Sequence, residues 1–419
     1  MKTVSFCVLG CRVNQYEIQA LREEFIKNGY AVVPFGKECD VSVINTCAVT
    51  KESEKKSRHT ISYASKHASK VVITGCYAEL CRKLGDIPEN VYYCGGCSQR
   101  NRLFEICEGK DIGYEVKTAY EPLSIGNTGK LPNERFRAYV KIEDGCNGRC
   151  AYCIIPSLRG RSYSREESDI IAEIERLASV GVSEVILTGI EVSDYGASEL
   201  CSLIKAVSKI DGIRRIRLGS LNPNTIKNEF IECIKETPKF CRHLHLSVQS
   251  GCTKVLNAMK RPYSAEKLKN AIKALYEALP DIMLTADVIS GFPGETEEDF
   301  EETLEFIKQS RFMHVHAFPY SPRPGTVAAE MECQIAEDVK KQRNLKIIET
   351  SDEIKKDIAM SMVGKKVELL VEKNVSSAAY GHTDGFMEAK IVGSSAGSGS
   401  YTVCTVTGFD GMLICKEDK

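Results

Sequence analysis

Gly145-Cys146-Asn147-Gly148-Arg149-Cys150-Ala151-Tyr152-Cys153 sets three cysteines at C-x3-C-x2-C spacing, directly after a strand-like run at 138–142 and ahead of a loop at 154–156. Three thiolates are the right ligands, in kind and number, for three irons of a four-iron, four-sulfur cube. The fourth iron is left without a protein ligand, so a small molecule must take that corner. Electron-transfer ferredoxins normally supply a fourth cysteine there. A structural zinc site is one alternative, but it asks for four protein ligands, usually as two C-x2-C pairs, and no second pair lies nearby. Chance spacing in a chain of 19 cysteines is the other.

With an aromatic residue, Tyr152, just before the last cysteine, the stretch resembles the motif of radical S-adenosylmethionine (SAM) enzymes. The resemblance implies that Cys146, Cys150 and Cys153 hold the cluster and that the amine and carboxylate of SAM occupy the open iron. An electron from the cluster then cleaves SAM to methionine and a 5′-deoxyadenosyl radical.

Outward from this stretch, strand and helix patterns alternate. Strands are expected at 138–142, 184–187, 214–218, 243–248, 283–289 and 314–318, with helices at 166–180, 199–210, 225–236, 265–278 and 297–309. Such repeats fit a partial (β/α)6 barrel whose site lies at the strand C-termini, where the cysteine stretch follows the first strand. The resemblance to the radical SAM core covers this whole region. Rim loops at 188–191, 219–223, 247–251 and 290–296 are where SAM contacts should fall, and Ser220 and Gln249 are the candidate cofactor-binding residues. The run at 291–296 reads equally as a strand-to-helix turn with an N-terminal cap. The basic run at 156–165, with Arg159, Arg161 and Arg165, is expected near the open iron. There it would bind an RNA phosphate or order a substrate base, or else be a solvated loop. Lys55, Lys56, Arg58, His59 and Lys66 form either a basic face with Arg135 and Arg137 or merely the outer side of a helix.

The first hundred residues alternate apolar runs at 4–9, 41–45 and 70–74 with amphipathic stretches at 15–27 and 52–69, the pattern of a parallel α/β sheet of flavodoxin or Rossmann type. Each run leads at once to a cysteine: Leu9-Gly10-Cys11, Asn45-Thr46-Cys47 and Thr74-Gly75-Cys76. The carboxyl ends of parallel strands share one edge, so three cysteines distant in sequence would meet in space. The alternative is small residues buried at strand ends. Cys94-x2-Cys97 is a bare pair with a weaker metal reading.

This arrangement is similar to the methylthiotransferase family, through Leu9-Gly10-Cys11-Arg12-Val13-Asn14-Gln15-Tyr16-Glu17, Asn45-Thr46-Cys47-Ala48-Val49-Thr50 and Gly75-Cys76-Tyr77-Ala78-Glu79. The resemblance implies a second four-iron, four-sulfur cluster on Cys11, Cys47 and Cys76, holding the sulfur that is methylated by a second SAM and then transferred. The text around Cys11 and Cys47 looks like the branch that converts threonylcarbamoyladenosine at tRNA position 37 to its 2-methylthio derivative. Related branches act on isopentenyladenosine in tRNA or on a ribosomal protein. The implied partners are the tRNA anticodon stem-loop and a reducing protein such as flavodoxin or ferredoxin.

Residues 118–132 are rich in Gly, Pro and Asn and read as a linker, and 337–360 as a long charged helix. Beyond Gly364, short strands at 366–372, 386–392, 401–409 and 412–415 read as a small antiparallel β-barrel. It resembles the RNA-binding TRAM domain, with 380–386 as an exposed binding loop. From 360 to 419 there are six Lys against seven Asp and Glu, so this barrel would bind RNA by shape and stacking or serve mainly for packing. The expected domains are 1–113, 132–362 and 363–419. The 419 residues are 43% hydrophobic with a formal net charge of −1, which gives no global electrostatic case for nucleic acid. No leader or membrane-length apolar run is visible, so the cytoplasm is the expected compartment.

Overall fold

The computed structural model describes residues 1–110, 125 and 136–418, apart from the side chains of Ser98 and Asn101. The expected linker at 118–132 and the expected boundaries at 113 and 132 fall outside or at the edge of the described residues.

The N-terminal chain runs β1 (Thr3–Val8), α1 (Arg12–Lys27), β2 (Ala31–Val32), β3 (Cys39–Thr46), α2 (Lys51–Ala64), β4 (Ala68–Gly75), α3 (Cys76–Leu84), β5 (Tyr93–Cys94) and α4 (Leu103–Cys107). Its strands form one parallel sheet in the order β2-β1-β3-β4-β5. In α1, Ile18, Leu21 and Phe25 recur at helical spacing and bury one face against Val4, Val41, Val43 and Val72. Phe25 meets Phe6, Tyr30 and Phe104 edge to face, with ring centroids 5.6, 5.1 and 5.2 Å away. Helix α2 begins where the Thr50 side chain accepts the Ser53 N–H, with Glu52 and Glu54 in the first turn. It ends earlier than the expected 69 because Ala68 already pairs with Cys39 in the sheet.

The central region comprises β6 (Arg137–Lys141), β7 (Glu143–Asp144), α5 (Ile155–Arg159), β8 (Tyr163–Ser164), α6 (Glu167–Ser179), β9 (Glu184–Thr188), α7 (Ala197–Ser208), β10 (Arg215–Leu218), β11 (Ser220–Leu221), α8 (Asn228–Lys235), β12 (His243–Gln249), α9 (Thr253–Ala258), α10 (Ala265–Ala278), β13 (Met283–Ser290), α11 (Glu297–Ser310) and β14 (His314–Pro319). Two parallel sheets, β10-β9-β6 and β11-β12-β13-β14, are joined by a bridge from Ile216 to Phe240. Together they form the expected partial barrel over one continuous core from Val140 through Ile216 and Leu246 to Val315. The seam falls at Gly219, where a Cβ would meet Thr188 Oγ1 at 3.0 Å. The chain turns there so that Ser220 pairs with His245 on the next strand. The antiparallel pair β7–β8, which closes the cysteine loop at its base, has no visible sequence signal.

Helix α12 (Glu337–Ser361) lies against β14 and leads to β15 (Lys366–Val375), β16 (Ala378–Thr383), β17 (Glu388–Val392), β18 (Tyr401–Asp410) and β19 (Met412–Glu417). These five strands close a barrel in the order β15-β16-β17-β19-β18. It is mixed rather than purely antiparallel, since β17 and β19 run parallel. The expectation of an exposed loop at 380–386 is also corrected. Tyr380 to Thr383 belong to β16, and the turn after it is inserted at the N-terminal end of the central strands. Arg217 donates to the carbonyls of Asp384 and Thr383 at 2.6 and 2.8 Å, and Arg215 to that of His382 at 3.2 Å. Phe386 stacks on His382 and lies 4.8 Å from the Arg217 guanidinium. Among the described residues no helix is long and apolar enough to cross a membrane.

Candidate active site

The loop that follows β6 is held by backbone bonds from several elements. Ala151 donates to Met259 O at 3.0 Å and accepts from Ala328 at 2.8 Å, while Cys146 donates to Gly160 O at 3.2 Å. Gly145 has φ +83, and a Cβ there would stand 2.1 Å from Arg161 O, so the position requires glycine. Cys146, Cys150 and Cys153 are half-buried on this rim. The Gly148 N–H points at Cys146 Sγ (3.2 Å), and Arg261 donates to Cys150 Sγ (3.2 Å) while its other nitrogens bind Tyr263 Oη and Ser247 O at 2.7 and 3.0 Å. Burial pushes the Cys146 and Cys153 thiols up to about 12 and about 11. Beneath the loop the Glu143 carboxyl accepts the N–H groups of Ile190 and Glu191 at 2.8 and 2.9 Å, and burial raises it to about 8.

The N-terminal cysteines stand where the strand pattern placed them: Cys11 caps α1, Cys47 follows β3 and Cys76 opens α3. Cβ atoms on Gly10 and Gly75 would meet Cys47 Cβ at 2.9 Å and Thr46 O at 2.5 Å, so both glycines let neighbouring strand ends close on each other. Cys97, half of the bare pair, lies within hydrogen-bonding reach of Cys76. That bond comes first among the causes lowering the Cys76 thiol, aided by Arg159, while Cys97 itself is raised. Cys94 turns away to Ala78 O at 3.3 Å.

A buried charge cluster joins the two cysteine sets. Arg159 Nη1 lies 3.0 Å from Glu17 and 2.8 Å from Asp144, its Nη2 2.8 Å from Asn14 and its Nε 3.4 Å from Cys76 Sγ. Its side chain is 0% exposed. Arg100 and Lys141 also pair with Glu17 and Asp144. Burial alone would raise both carboxyls, but the three cations overcome it and hold both below the usual carboxylate range. Two of the three arginines of the basic run at 156–165 are therefore internal. Arg159 belongs to this junction and Arg165 is buried against Glu173 at 2.8 Å, leaving Arg161 exposed. Arg137 faces inward too, paired with Glu184 and Glu372, so it joins no surface patch with α2.

Among the described residues no three His, Cys, Asp or Glu side chains converge as ligands of a single ion. A four-iron cube asks for something different, one thiolate at each of three separate corners.

A model of the radical SAM superfamily matches residues 140–307, and one of the uncharacterized protein family UPF0004 matches residues 3–92. The threonylcarbamoyladenosine tRNA methylthiotransferase MtaB of Bacillus subtilis is 36% identical over 94% of this chain and 91% of its own. The chain belongs to the radical SAM methylthiotransferase family. A second relative of the same name, from Thermotoga maritima, is 32% identical over 100% of this chain and 98% of its own. The tRNA-2-methylthio-N(6)-dimethylallyladenosine synthase of Alkaliphilus oremlandii is 34% identical over 87% and 80%. Among solved structures, the radical SAM methyltransferase TsrM of Kitasatospora setae superposes with a TM-score of 0.56 at 13% identity, covering 90% of this chain and 77% of that one, a likeness of fold alone.

As in other radical SAM enzymes, a methylthiotransferase works with a four-iron cluster and SAM. The two expected SAM contacts lie on the rim: Ser220 opens β11, and Gln249 ends β12 at a register shift with φ +71. Both are half-exposed, and among the described residues neither side chain has a hydrogen-bond partner. Sequence reading missed Arg261 and Glu143, which lack any recognisable spacing.

Proposed function

We propose that this methylthiotransferase converts threonylcarbamoyladenosine at tRNA position 37 to its 2-methylthio derivative. Cys146, Cys150 and Cys153 would hold one four-iron, four-sulfur cluster and Cys11, Cys47 and Cys76 a second, with SAM against Ser220 and Gln249. The donor sets suit these groups. N–H donors from Gly148, Arg261 and Arg159 point at one sulfur each of Cys146, Cys150 and Cys76, which favours anionic sulfur, and Gly10 and Gly75 leave room where the strand ends converge. When bound, such groups supply the electron that cleaves SAM and the sulfur that is transferred, chemistry that an inert aromatic C–H bond needs and side chains lack.

The observation that carries the reading is the Arg159 guanidinium. It touches a thiol of one set and the carboxylate, Asp144, that leads into the loop of the other. Two clusters serving one substrate would have to lie close together, and this contact joins the flanks of the two sets. The left-handed backbone at Gln249 supports its place in a binding rim, since strain of that kind is kept where a site requires it. The substrate rests on relatives named for threonylcarbamoyladenosine at 32–36% identity. Relatives named for dimethylallyladenosine, at 33–34%, give the second reading. The proposed domains are 1–113, 132–362 and 363–419, the last a TRAM-type barrel that contributes to RNA binding from surfaces other than the inserted turn. The proposed setting is the cytoplasm, with a flavodoxin- or ferredoxin-like reductant.

Nucleoside mass spectrometry of a deletion strain tests the substrate. Loss of the 2-methylthio-threonylcarbamoyl species, restored by the intact gene, is expected. Its persistence, or loss of a 2-methylthio-dimethylallyl species instead, contradicts the assignment.

A further inference from the structure

Arg12 follows Cys11 directly and occupies the first turn of α1, which packs against β6 at the open side of the barrel. The titratable groups around its side chain come from five central strands: Tyr139 and Arg137 from β6, Arg217 from β10, His243 from β12, Asp287 from β13 and His316 from β14. A side chain surrounded in this way projects into the barrel lumen. Its guanidinium carbon stands 5.9 Å from the centre of the Phe386 ring, part of the turn inserted at the N-terminal end of the central strands.

The other lumen charges have partners. Arg217 and Arg137 bind Glu184, Arg137 also binds Glu372, and Asp287 binds His245 Nε2 at 3.1 Å. Arg12, half-buried, is in no ion pair and no side-chain hydrogen bond among the described residues. A guanidinium without a counter-ion in a partly desolvated site, beside two further arginines, is a standing requirement for an anion. Its planar fork matches a carboxylate in bidentate fashion.

We infer that Arg12 is the specificity residue that receives the carboxylate of the substrate's threonylcarbamoyl group. This rests on the substrate reading above and adds to it the side chain that recognises the acid. In the purine ring, C2 and C6 flank the same nitrogen. A base presenting C2 to the Cys11, Cys47 and Cys76 set would carry the substituent of its C6 amine beside that edge, and Arg12 is the residue next to Cys11. A dimethylallyl group carries no charge and offers Arg12 nothing.

The test is binding of synthetic anticodon stem-loops to the reconstituted full-length enzyme, read by fluorescence anisotropy, with turnover measured alongside. One stem-loop carries threonylcarbamoyladenosine, one its methyl ester and one dimethylallyladenosine. The wild-type chain is expected to bind the acid at least about tenfold more tightly than the ester, a charge-assisted pair being of that size. Arg12→Gln should remove the preference by weakening the acid alone, and Arg12→Lys should keep part of it. Iron content equal to wild type checks that the variants are intact. A preference for the acid that survives Arg12→Gln overturns the role of Arg12 and leaves the substrate reading standing. Equal wild-type affinity for acid and ester overturns the proposal as well. Turnover of the dimethylallyl stem-loop in place of the acid overturns the substrate reading itself.

Discussion

The two cysteine sets are built in opposite ways. Cys146, Cys150 and Cys153 share one loop, and the barrel's own elements hold it: a glycine with φ +83, the short β7–β8 pair, backbone bonds to Met259 and Ala328, and an arginine from the connection between α9 and α10. Cys11, Cys47 and Cys76 share nothing in sequence. Their proximity depends on a parallel sheet that ends three strands at one edge, and on a buried cluster of charges tying that edge to the barrel. A site written into one loop survives damage elsewhere, whereas a site assembled by a fold is only as firm as the contacts between its parts.

The sharpest way to break this contrast is Glu17→Ala. It leaves Arg100, Lys141 and Arg159 with Asp144 alone, and stranding buried cations costs about 3–5 kcal/mol. Hydrogen exchange should rise across 1–110 while the loop at 145–162 keeps its protection; equal loosening of both, or of neither, would undo the contrast. Gly75→Ala comes next. With φ +89 and Thr46 O 2.5 Å from the new Cβ, about 2–4 kcal/mol of strain is expected at the Cys47–Cys76 edge, read as a lower denaturant midpoint. On the other side, Arg261→Gln removes the donor to Cys150 and two supporting bonds. A loss of about 1–2 kcal/mol, confined to the loop by hydrogen exchange, is the expected outcome.

The last contrast is in pH dependence, where the two regions should respond with opposite sign. Glu17 and Asp144 have folded pKa values below their unfolded ones. Their contribution is present above the unfolded carboxylate range and is lost as pH falls below about 4 toward the folded values. Glu143, under the loop, is raised by burial to about 8 from an ordinary 4.5, so its contribution is full below 4.5 and is lost as pH rises through about 8. Glu143→Gln should flatten the alkaline limb of loop stability and leave the acid limb unchanged. An unaltered alkaline limb would refute this.

The same contrast explains what the sequence made legible. A three-cysteine loop is visible because its meaning lies in spacing, and the strand-end cysteines are visible because each closes an apolar run. Arg159 was not readable, since its partners Glu17, Asn14, Cys76 and Asp144 come from three other segments. A basic run looks like a surface for RNA until its counter-ions are known. The turn at 384–387 misled for the same reason. Its polar, glycine-containing text suits a solvent loop, yet Arg215 and Arg217 take the carbonyls of Asp384 and the two residues before it. Cys97 was half legible, a pair in sequence of which one member reaches the site. The parallel closure of the last barrel depends on a chain crossing that no local pattern records.

The central claim is that the two sets act as independent cluster sites. Iron and sulfide content of anaerobically reconstituted protein tests it most directly, with the Cys146/Cys150/Cys153 and the Cys11/Cys47/Cys76 sets each replaced by serine. About eight irons in the parent chain, falling by about half in each variant, is the predicted result. About four in the parent, removed entirely by either replacement, would contradict it and leave one cluster where two are proposed.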